Sequence, residues 1–352
     1  MGSGIMIDKR IIYDLSFDEM SNYVEAMGES AFRSRQIWEG IYKHLVDVPD
    51  QMSNLPKMLR QELEKEFAFN SFQPIVHLIS EDGFTEKALL QLNDGHEIET
   101  VLMRYDRRRT ACISTQSGCA IGCSFCATGQ MGFGRNLSSG EIIDQVLYIS
   151  RRLSQQDERL SNIVLMGMGE PFHNYDATMD AIDRITDSRG FGFGARRITI
   201  STVGLVPMIK RFTTEESQVN LAVSLHGSTN EVRDQLVPIN KQYPLEQLIP
   251  ACRDYVDQTN RRVTFEWALI SNVNDGIEQA EELARLVQGI ICHVNIIRLN
   301  PTNGYDAAAP SRKKASAFRD ILVSNGIPCT IRVRRGIDIH AGCGQLAGHK
   351  SC

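Results

Sequence analysis

Cys119-Ala-Ile-Gly-Cys123-Ser-Phe-Cys126 is the stretch of sequence around which the rest of the chain is organised. Three cysteines within eight residues indicate a metal site, because few other uses exist for thiolates held so close together. The spacing fits a zinc site that lacks one ligand, or an iron–sulfur cluster that has no fourth protein ligand. The apolar segment Thr110-Ala-Cys-Ile-Ser114 predicts a strand that ends shortly before the cysteines. In a parallel α/β barrel, active sites are built at this end of the strands.

The length and the cysteine count predict a large folded protein of the cytoplasm. A chain of 352 residues can form one barrel and a small additional domain. Nine cysteines are an odd number, which argues against the disulfide framework of a secreted protein and favours a reducing compartment. No apolar run reaches membrane-spanning length, so we expect no association with a membrane.

The charged residues permit an RNA partner but do not demonstrate one. The net charge of −5 does not indicate a nucleic-acid-binding protein. Basic residues gathered on one face can nevertheless neutralise phosphates while the rest of the surface stays acidic. Ordinary solvated surface explains any single cluster equally well. The clusters consist of Arg104, Arg107, Arg108 and Arg109; Arg196 and Arg197; Arg261 and Arg262; Arg312, Lys313 and Lys314; and Arg332, Arg334 and Arg335.

Two smaller segments precede the predicted barrel. Residues 1–72 are predicted to form a helical accessory domain, because apolar residues recur there at helical spacing. Ser16 and Glu19 in this segment fit a capping box at the start of a helix. Residues 73–104 show short alternating runs separated by turn signals such as Asp82-Gly83, which predicts a linking β-hairpin sheet.

Residues 105–352 are predicted to form a partial, TIM-like (βα)6 barrel of the α/β class with a C-terminal extension. β-Branched apolar runs alternate with helical stretches, which indicates a parallel sheet with right-handed crossovers. About six units fit, fewer than the eight of a complete barrel. The strands are predicted at 162–168, 197–203, 220–225, 262–270, 293–299 and 329–334, and helices at 138–151, 175–186, 245–257, 277–287 and 311–324.

Small and polar residues follow the carboxyl ends of several predicted strands. Glycine lets the backbone approach a ligand closely, and a carboxylate can accept a hydrogen bond from an ammonium group. Each residue alone could be a strand terminator or a helix N-cap. Together, at the same end of successive strands, they match what a bound polar cofactor needs. They are Gly169, Glu170, Ser201, Ser224, His226 and Asn300.

Two further residues carry reactive side chains whose role the pattern leaves open. Glu99 lies in an alternating strand, where a single carboxylate normally faces solvent. Cys343 is flanked by glycines, a setting that suits a mobile nucleophile, although an inert thiol is the commoner outcome.

Eight ordered motifs resemble one family, the radical S-adenosylmethionine (SAM) ribosomal RNA adenine methyltransferases RlmN and Cfr. The resemblance covers about residues 11–349 and is specific, because all the motifs occur in order with compatible spacing. The motifs are Cys112-Ile-Ser-Thr-Gln-Ser-Gly-Cys119, the run from Cys119 to Cys126-Ala-Thr-Gly, Gly167-Met-Gly-Glu170, Arg197-Ile-Thr-Ile-Ser-Thr, Ser224-Leu-His226, Val237-Pro-Ile-Asn240, Val273-Asn-Asp275 and Cys343-Gly-Gln-Leu-Ala-Gly.

This resemblance implies a role for each candidate residue. Cys343 matches the cysteine that carries the methyl group, Cys112 matches its resolving partner in a transient disulfide, and Glu99 falls on the proposed proton acceptor. The remaining implied residues hold cofactors: Cys119, Cys123 and Cys126 bind a [4Fe–4S] cluster, and Gly169, Glu170, Ser201, Ser224, Leu225, His226 and Asn300 line the SAM site.

The resemblance also implies the reaction and the partners. Two molecules of SAM are used per turnover, one as methyl donor and one as radical source, and a covalent protein–RNA intermediate is formed. The implied product is an adenosine methylated at C2 in 23S rRNA, with tRNA as a possible second substrate. The implied partners are this RNA and an electron donor such as flavodoxin, and nothing in the sequence requires an oligomer rather than a monomer.

Two alternatives remain open at this point. Cfr-type enzymes methylate C8 of the same rRNA adenosine, which confers antibiotic resistance. Thr229-Asn-Glu-Val-Arg-Asp234 is RlmN-like, whereas Ile297-Arg-Leu-Asn-Pro-Thr302 is Cfr-like, and we favour C2. A more distant alternative is a non-catalytic RNA-binding protein in which Cys112 completes a zinc site with the three clustered cysteines.

Overall fold

The N-terminal part of the protein is helical, as predicted. The computed structural model describes residues 9–347, so the final glycine of the last motif, Gly348, lies outside the described residues. Ser16 and Glu19 form the expected capping box: the Ser16 Oγ accepts from the Glu19 N–H, and the Glu19 carboxylate accepts from the Ser16 N–H. The elements are β1 (Arg10–Ile11), α1 (Phe17–Ala26), α2 (Phe32–Tyr42), α3 (Lys57–Glu66) and β2 (Phe67–Ala68), with short 3₁₀ turns at Ile12–Asp14 and Pro49–Gln51.

Three long antiparallel strands follow, β3 (Phe72–Ile79), β4 (Thr85–Leu92) and β5 (Glu97–Arg104). They form the linking β-hairpin sheet that was predicted for residues 73–104, and β3 begins one residue before that range. The next strand, β6 (Arg109–Cys112), pairs with β5 in antiparallel register and with the parallel strands on its other side. The linking hairpins are therefore continuous with the barrel sheet rather than a separate layer.

The remaining elements build the parallel part of the sheet. Its seven parallel strands and six crossover connections agree with the predicted partial barrel. In chain order the elements are β7 (Gln116–Gly118), α4 (Ala127–Gln130), β8 (Phe133–Asn136), α5 (Ser139–Ser154), β9 (Asn162–Leu165), α6 (Tyr175–Thr186), β10 (Ile198–Thr202), α7 (Val206–Thr214), β11 (Asn220–Ser224), α8 (Asn230–Leu236), α9 (Leu245–Thr259), β12 (Val263–Leu269), α10 (Ile277–Leu286), β13 (Cys292–Arg298), α11 (Arg312–Ser324) and β14 (Cys329–Ile331).

The large sheet has ten strands in the order β14-β13-β12-β11-β10-β9-β6-β5-β4-β3. Within residues 9–347, no pairing joins β14 to β3, so the barrel stays open along one side. A second small sheet, β7 with β8, flanks the cysteine loop. Helices α7 and α8 were not among the predicted helices; both are short, and α7 packs against α9.

The helical N-terminal segment packs directly against the barrel. One continuous hydrophobic core extends from Ile12 to Leu346. Polar contacts reinforce this packing: the Asp14 carboxylate accepts from the Gly140 N–H at the start of α5 (2.7 Å), where a helix favours negative charge. In the described part of the chain, no helix is long and apolar enough to cross a membrane.

Candidate active site

The three clustered cysteines occupy the loop between β7 and α4. The Cys119 N–H donates to the Gly132 carbonyl (2.8 Å), and the Cys126 N–H donates to the Cys123 carbonyl (3.1 Å), so backbone hydrogen bonds shape the loop. A Cβ atom at Gly129 would lie 2.9 Å from the Cys123 nitrogen, too close for any other residue. Glycine at this position therefore lets α4 fold tightly over the cysteine loop.

The chemistry of the three thiols is compatible with the binding of a metal cluster. Burial raises the pKa of Cys119 to about 12, and it also raises the pKa values of Cys123 and Cys126. Each of these thiols also lies close enough to another cysteine for their negative charges to repel. A cation is needed to hold them together as thiolates. Within residues 9–347, no three Cys, His, Asp or Glu side chains are already in ligating geometry.

The zinc alternative requires Cys112 to join this loop, and the structure places Cys112 elsewhere. Cys112 lines a separate cavity together with Arg332 and Cys343. Cys123 and Cys126 line the neighbouring cavity, from which Cys112 is absent. The loop itself supplies three soft sulfur donors, which is the protein donor set of an iron–sulfur cluster with one open iron, so the described residues fit that cluster.

The neighbouring cavity lies at the carboxyl ends of the parallel strands and encloses about 830 Å³, including the part open to solvent. Of the residues predicted to bind SAM, Leu225 does not line this cavity. It is fully buried, and its backbone N–H donates to the Glu266 carbonyl. Glu266, Thr202 and Val203 also line this cavity and were not predicted. The predicted residues that line it are Cys123, Cys126, Gly169, Glu170, Ser201, Ser224, His226, Asn300 and Cys343.

Glu170 is held in place before any ligand binds. Its Oε1 accepts from the Phe172 N–H (3.0 Å) and its Oε2 from the Val203 N–H (2.9 Å). Burial raises the pKa of Glu170 to about 7, although these hydrogen bonds oppose the shift. Gly169 has a φ of +100°, and a Cβ there would lie 2.6 Å from the Gln116 side chain. The sharp turn that aims Glu170 therefore requires glycine.

His226 is a neutral hydrogen-bond acceptor. Its Nδ1 accepts from the Ala268 N–H (2.9 Å), and burial lowers its pKa to about 3. The Phe125 ring, from the cysteine loop, packs edge-on against its imidazole at a centroid distance of 4.9 Å. The Asn274 amide donates to the carbonyls of His226 and Ala268, which explains why the motif around residue 274 belongs to the site.

Arg233 connects the segments that follow strands β10 and β11. The sequence analysis did not identify this residue. Its guanidinium is fully buried and donates to the carbonyls of Leu225 (3.0 Å) and Val203 (2.5 Å) and to the Asn240 Oδ1 (2.7 Å). These contacts give the Val237-Pro-Ile-Asn240 motif a structural role. An arginine in a short helix carries no signal that distinguishes it from surface, so only the structure could identify it.

Cys343 and Cys112 both line the cavity next to the one at the strand ends. The Arg332 Nη1 donates to the Cys343 Sγ (3.4 Å), and the Asn300 amide donates to the Cys343 carbonyl (3.0 Å). Both cysteines are free thiols. Burial raises the pKa of Cys112 to about 12, so this thiol is held protonated. Cys343 lines both cavities and therefore lies between the predicted cofactor site and its predicted partner.

Glu99 is buried, unlike the solvent-facing carboxylate that is usual in an alternating strand. Its side chain pairs with the Lys87 ammonium (2.8 Å) and accepts from the Ala347 N–H (2.8 Å). Only 1% of Glu99 is exposed, because the C-terminal segment covers β4 and β5. Lys87 also donates to the His340 carbonyl (3.3 Å). Glu99 lines neither cavity, and the structure does not bring it to Cys343 directly.

Comparison with known proteins agrees with this geometry. The chain matches the radical SAM superfamily over residues 113–287. A radical SAM methyltransferase from Sphaerobacter thermophilus has a crystal structure that superposes with a TM-score of 0.95 at 48% identity, covering 97% of this chain and 100% of that chain. The open barrel with its three-cysteine loop is therefore that of a radical SAM enzyme.

The relatives narrow this class to one family. Residues 12–68 match the ribosomal RNA large subunit methyltransferase N-terminal domain. Dual-specificity RNA methyltransferase RlmN 1 of Myxococcus xanthus (strain DK1622) is 47% identical over 335 residues, 95% of this chain and 93% of that protein. Probable dual-specificity RNA methyltransferase RlmN of Staphylococcus aureus (strain COL) is 47% identical over 339 residues, 96% of this chain and 93% of that protein. The chain belongs to the RlmN family of radical SAM RNA methyltransferases.

Proposed function

We propose that this protein methylates C2 of an adenosine in 23S rRNA through an S-methylcysteine carried on Cys343. The observation that carries the proposal is the position of Cys343, whose thiol is shared by the cofactor cavity and by the cavity that holds Cys112. A methyl group bound to this sulfur is close to both the cofactor site and the resolving thiol. In ordinary methylation by SAM, a nucleophilic atom accepts the methyl group. C2 of adenine is an electrophilic ring carbon, so this route cannot methylate it.

Two cofactors are proposed, a [4Fe–4S] cluster on Cys119, Cys123 and Cys126, and SAM in the cavity beside it. SAM would contact Gly169, Glu170, Ser201, Ser224, His226 and Asn300, with Leu225 contributing through its backbone. When bound, the cluster and SAM supply the one-electron chemistry that removes a hydrogen atom from the S-methyl group. Two molecules of SAM are used per turnover, since the methyl donor and the radical source are consumed separately.

The first task of the protein is to make Cys343 a nucleophile. The Arg332 guanidinium donates to its sulfur (3.4 Å), which fixes the position of the thiol relative to the cofactor site. The thiolate forms a bond to the methyl carbon of SAM while the sulfonium–carbon bond breaks, and the thiol proton leaves to solvent. Asn300 holds the Cys343 backbone during this step through its hydrogen bond to the carbonyl.

The second task is release of the methylated RNA from the covalent intermediate. The Cys112 thiol loses its proton and its thiolate attacks the Cys343 sulfur, so that a disulfide forms. The sulfur–carbon bond to the RNA breaks, and its electron pair passes to the methylene carbon on the adenine, which takes up a proton and becomes the methyl group. An external reductant then restores both thiols. We propose that Glu99 accepts the proton that the adenine ring loses when its aromaticity is restored in the covalent intermediate. Its pairing with Lys87 and Ala347 means that the C-terminal segment must shift before Glu99 can reach a substrate.

The proposed substrates are 23S rRNA and, in addition, tRNA. The RlmN relatives are described as dual-specificity RNA methyltransferases, which supports two kinds of RNA. The match of residues 12–68 to a large-subunit rRNA methyltransferase domain supports rRNA, and we propose that residues 1–72 form an accessory RNA-binding domain. We further propose that the protein is a cytoplasmic monomer that receives electrons from a donor such as flavodoxin.

The product of the reaction tests the target carbon. Anaerobically reconstituted protein is incubated with SAM, flavodoxin, its reductase and a 23S rRNA fragment from a methyltransferase-deficient host. Mass spectrometry of the digested RNA is expected to show 2-methyladenosine. A brown protein that yields 8-methyladenosine would contradict the C2 assignment, and a colourless protein with bound zinc would contradict the enzyme.

The Cys112→Ala variant tests the covalent route. Without the resolving thiol, the RNA should stay attached to Cys343 and migrate with the protein on a denaturing gel. Cys329→Ala is the matched control, because Cys329 is a free thiol in β14 outside both cavities. Repeated turnover by Cys112→Ala without an adduct would contradict the resolving role.

A further inference from the structure

The cavity that contains Cys112 and Cys343 has an entrance built from two turns and the C-terminal segment. Tyr105, Val333, Arg334 and Arg335 line it on the outer side. Tyr105 follows β5, and Phe84 lies in the adjacent turn between β3 and β4. The Arg104 N–H donates to the Phe84 carbonyl (2.7 Å), which holds the two turns together.

Aromatic rings and guanidinium groups alternate at this entrance. The Arg335 guanidinium lies between two rings, 4.8 Å from the Phe84 centroid and 4.9 Å from the Tyr105 centroid. The Arg108 guanidinium lies 5.0 Å from the Tyr105 centroid. We call Phe84, Tyr105, Arg108 and Arg335 the entrance stack. Stacked planar groups of this kind form an ordered platform, because cation–π contacts fix their relative orientation.

The outer end of the entrance stack is the exposed ring of Phe84. Phe84 is 46% exposed although its ring is large and apolar. Val333 beside it is 69% exposed. The Arg335 Nε is buried and has no hydrogen-bond partner within residues 9–347. The exposed Phe84 ring offers a surface on which a planar ligand can stack, whereas the buried Arg335 Nε is out of reach of a ligand.

Guanidinium groups around the entrance stack can bind phosphate, and they stand among the exposed carboxylates of Glu81, Asp82 and Asp106. Arg107 and Arg108 are exposed in the turn after β5, and Arg334 and Arg335 follow β14. Asp82 offsets part of this charge, at 3.8 Å from the Arg335 guanidinium. That distance is too long for a hydrogen bond, so Arg335 can still bind a phosphate.

We propose that the entrance stack binds the RNA nucleotide next to the target adenosine, with its base on the exposed Phe84 ring and its phosphate on Arg335. An unpaired base stacks readily on an aromatic side chain, and RNA bases that are modified on the ring must first leave their own stack. The entrance stack would then hold the strand while the target base enters toward Cys343. This inference rests on the proposed function, since it needs RNA to be methylated at this cavity.

Variants of Phe84 test the stacking. Phe84→Ala and Phe84→Leu remove the ring and are expected to raise KM for a 23S rRNA fragment about tenfold, the effect of losing one stacked base. kcat should change by less than about twofold, because no reacting group is altered. Phe84→Tyr keeps the ring and should behave as the unmodified protein. Equal KM values for all the variants would overturn the proposal.

A modified RNA identifies the occupant. The rRNA fragment is assembled by ligation with an abasic nucleotide on one side of the target adenosine or on the other. If Phe84 stacks on a base, removing that base should abolish the difference between Phe84→Ala and unmodified protein for one of the two substrates. A difference that persists for both abasic substrates, or a changed KM for flavodoxin instead of RNA, would contradict the proposal.

The failure of this inference is distinguishable from failure of the proposed function. Methylation of Cys343 by SAM is followed by peptide mass spectrometry in the absence of RNA, and Phe84→Ala should reach the same extent as unmodified protein. If the unmodified protein neither methylates Cys343 nor RNA, the proposed function is wrong. If the unmodified protein does both and Phe84→Ala has an unchanged KM for the rRNA fragment, only the proposed role of the entrance stack is wrong.

Discussion

At the scale of single residues, the thiols of Cys343 and Cys112 differ in their surroundings. Cys343 has a guanidinium on its sulfur, while Cys112 is buried with a pKa raised to about 12. In the proposed function, Cys343 attacks first, and Cys112 stays protonated until the covalent intermediate forms. The order of the two sulfur reactions in the proposed cycle thus has a basis in local electrostatics.

Replacing Arg332 should slow the reactions of Cys343. Arg332→Met removes the charged donor, and we expect alkylation of Cys343 by iodoacetamide at neutral pH to slow about tenfold, the effect of losing one charge-assisted hydrogen bond. Peptide mass spectrometry measures the rate. Arg298→Met is the control, because Arg298 donates to the Pro310 carbonyl and does not contact the sulfur. Unchanged alkylation in Arg332→Met would show that the guanidinium does not activate Cys343.

His226 should make the stability of the cofactor-free protein depend on pH. Its pKa is lowered from 6.5 to about 3 by burial, so the unfolded chain binds a proton that the folded protein does not. The free energy of unfolding should therefore be fully retained above pH 6.5 and fall by up to about 1.4 kcal/mol per pH unit below it.

The His226→Asn variant isolates this contribution. Asparagine tolerates the positive φ of +61° at this position and offers an acceptor to Ala268, but it does not titrate. Urea unfolding between pH 7 and pH 5 should show a smaller loss of stability in the variant. Identical pH profiles for the two proteins would contradict the assignment.

At the scale of elements, the C-terminal segment after β14 closes the open side of the barrel. Both ends of the stretch that carries Cys343 are fixed by one buried ion pair, since Lys87 donates to the His340 carbonyl and Glu99 accepts from Ala347. A buried charge that loses its partner is strongly destabilising. The pair therefore ties the position of Cys343 to strands β4 and β5.

Breaking this ion pair should loosen the C-terminal segment. Lys87→Met leaves the Glu99 charge buried without a partner, and we expect the free energy of unfolding to fall by about 3–5 kcal/mol. Amide exchange at residues 340–347 should accelerate. Adding Glu99→Gln, which keeps an acceptor for Ala347, should restore part of the loss. A double variant less stable than the sum of the single changes would contradict this account.

At the scale of the whole molecule, the N-terminal segment and the barrel share one core. Arg151 on α5 donates to the Leu45 carbonyl and to the Tyr13 hydroxyl, both at 3.0 Å. Arg184 on α6 donates to the Tyr13 carbonyl (2.8 Å). Buried polar contacts of this kind join the proposed RNA-binding segment firmly to the catalytic part.

Unfolding should therefore be cooperative across both parts. The chain has two tryptophans, Trp38 on α2 and Trp267 on β12, which report on the two parts separately. The single-tryptophan variants Trp38→Phe and Trp267→Phe allow urea unfolding to be followed at each site by fluorescence. Each transition is compared with circular dichroism of the same variant, and the two probes should coincide. A separate, earlier loss of the Trp38 signal would show that the N-terminal part unfolds independently.

Much of the fold was predictable because its signals are local. The capping box at Ser16, the turn at Asp82-Gly83 and the strand–helix alternation each depend on residues near one another in sequence. The short helices α7 and α8 were missed because seven to nine residues carry too little periodicity. The burial of Glu99 could not be predicted, because alternation within a strand cannot reveal a distant segment that covers it.

The sequence by itself determined the three-cysteine loop, the parallel barrel and the polar residues at the strand ends, since spacing and periodicity are written along the chain. Only the tertiary structure decided that Arg332 contacts Cys343, that Lys87 pairs with Glu99, and that Arg233 joins the strand ends. These contacts depend on the path of the C-terminal segment and of the crossover connections. Such a path is set by the packing of the whole core, and no local pattern encodes it.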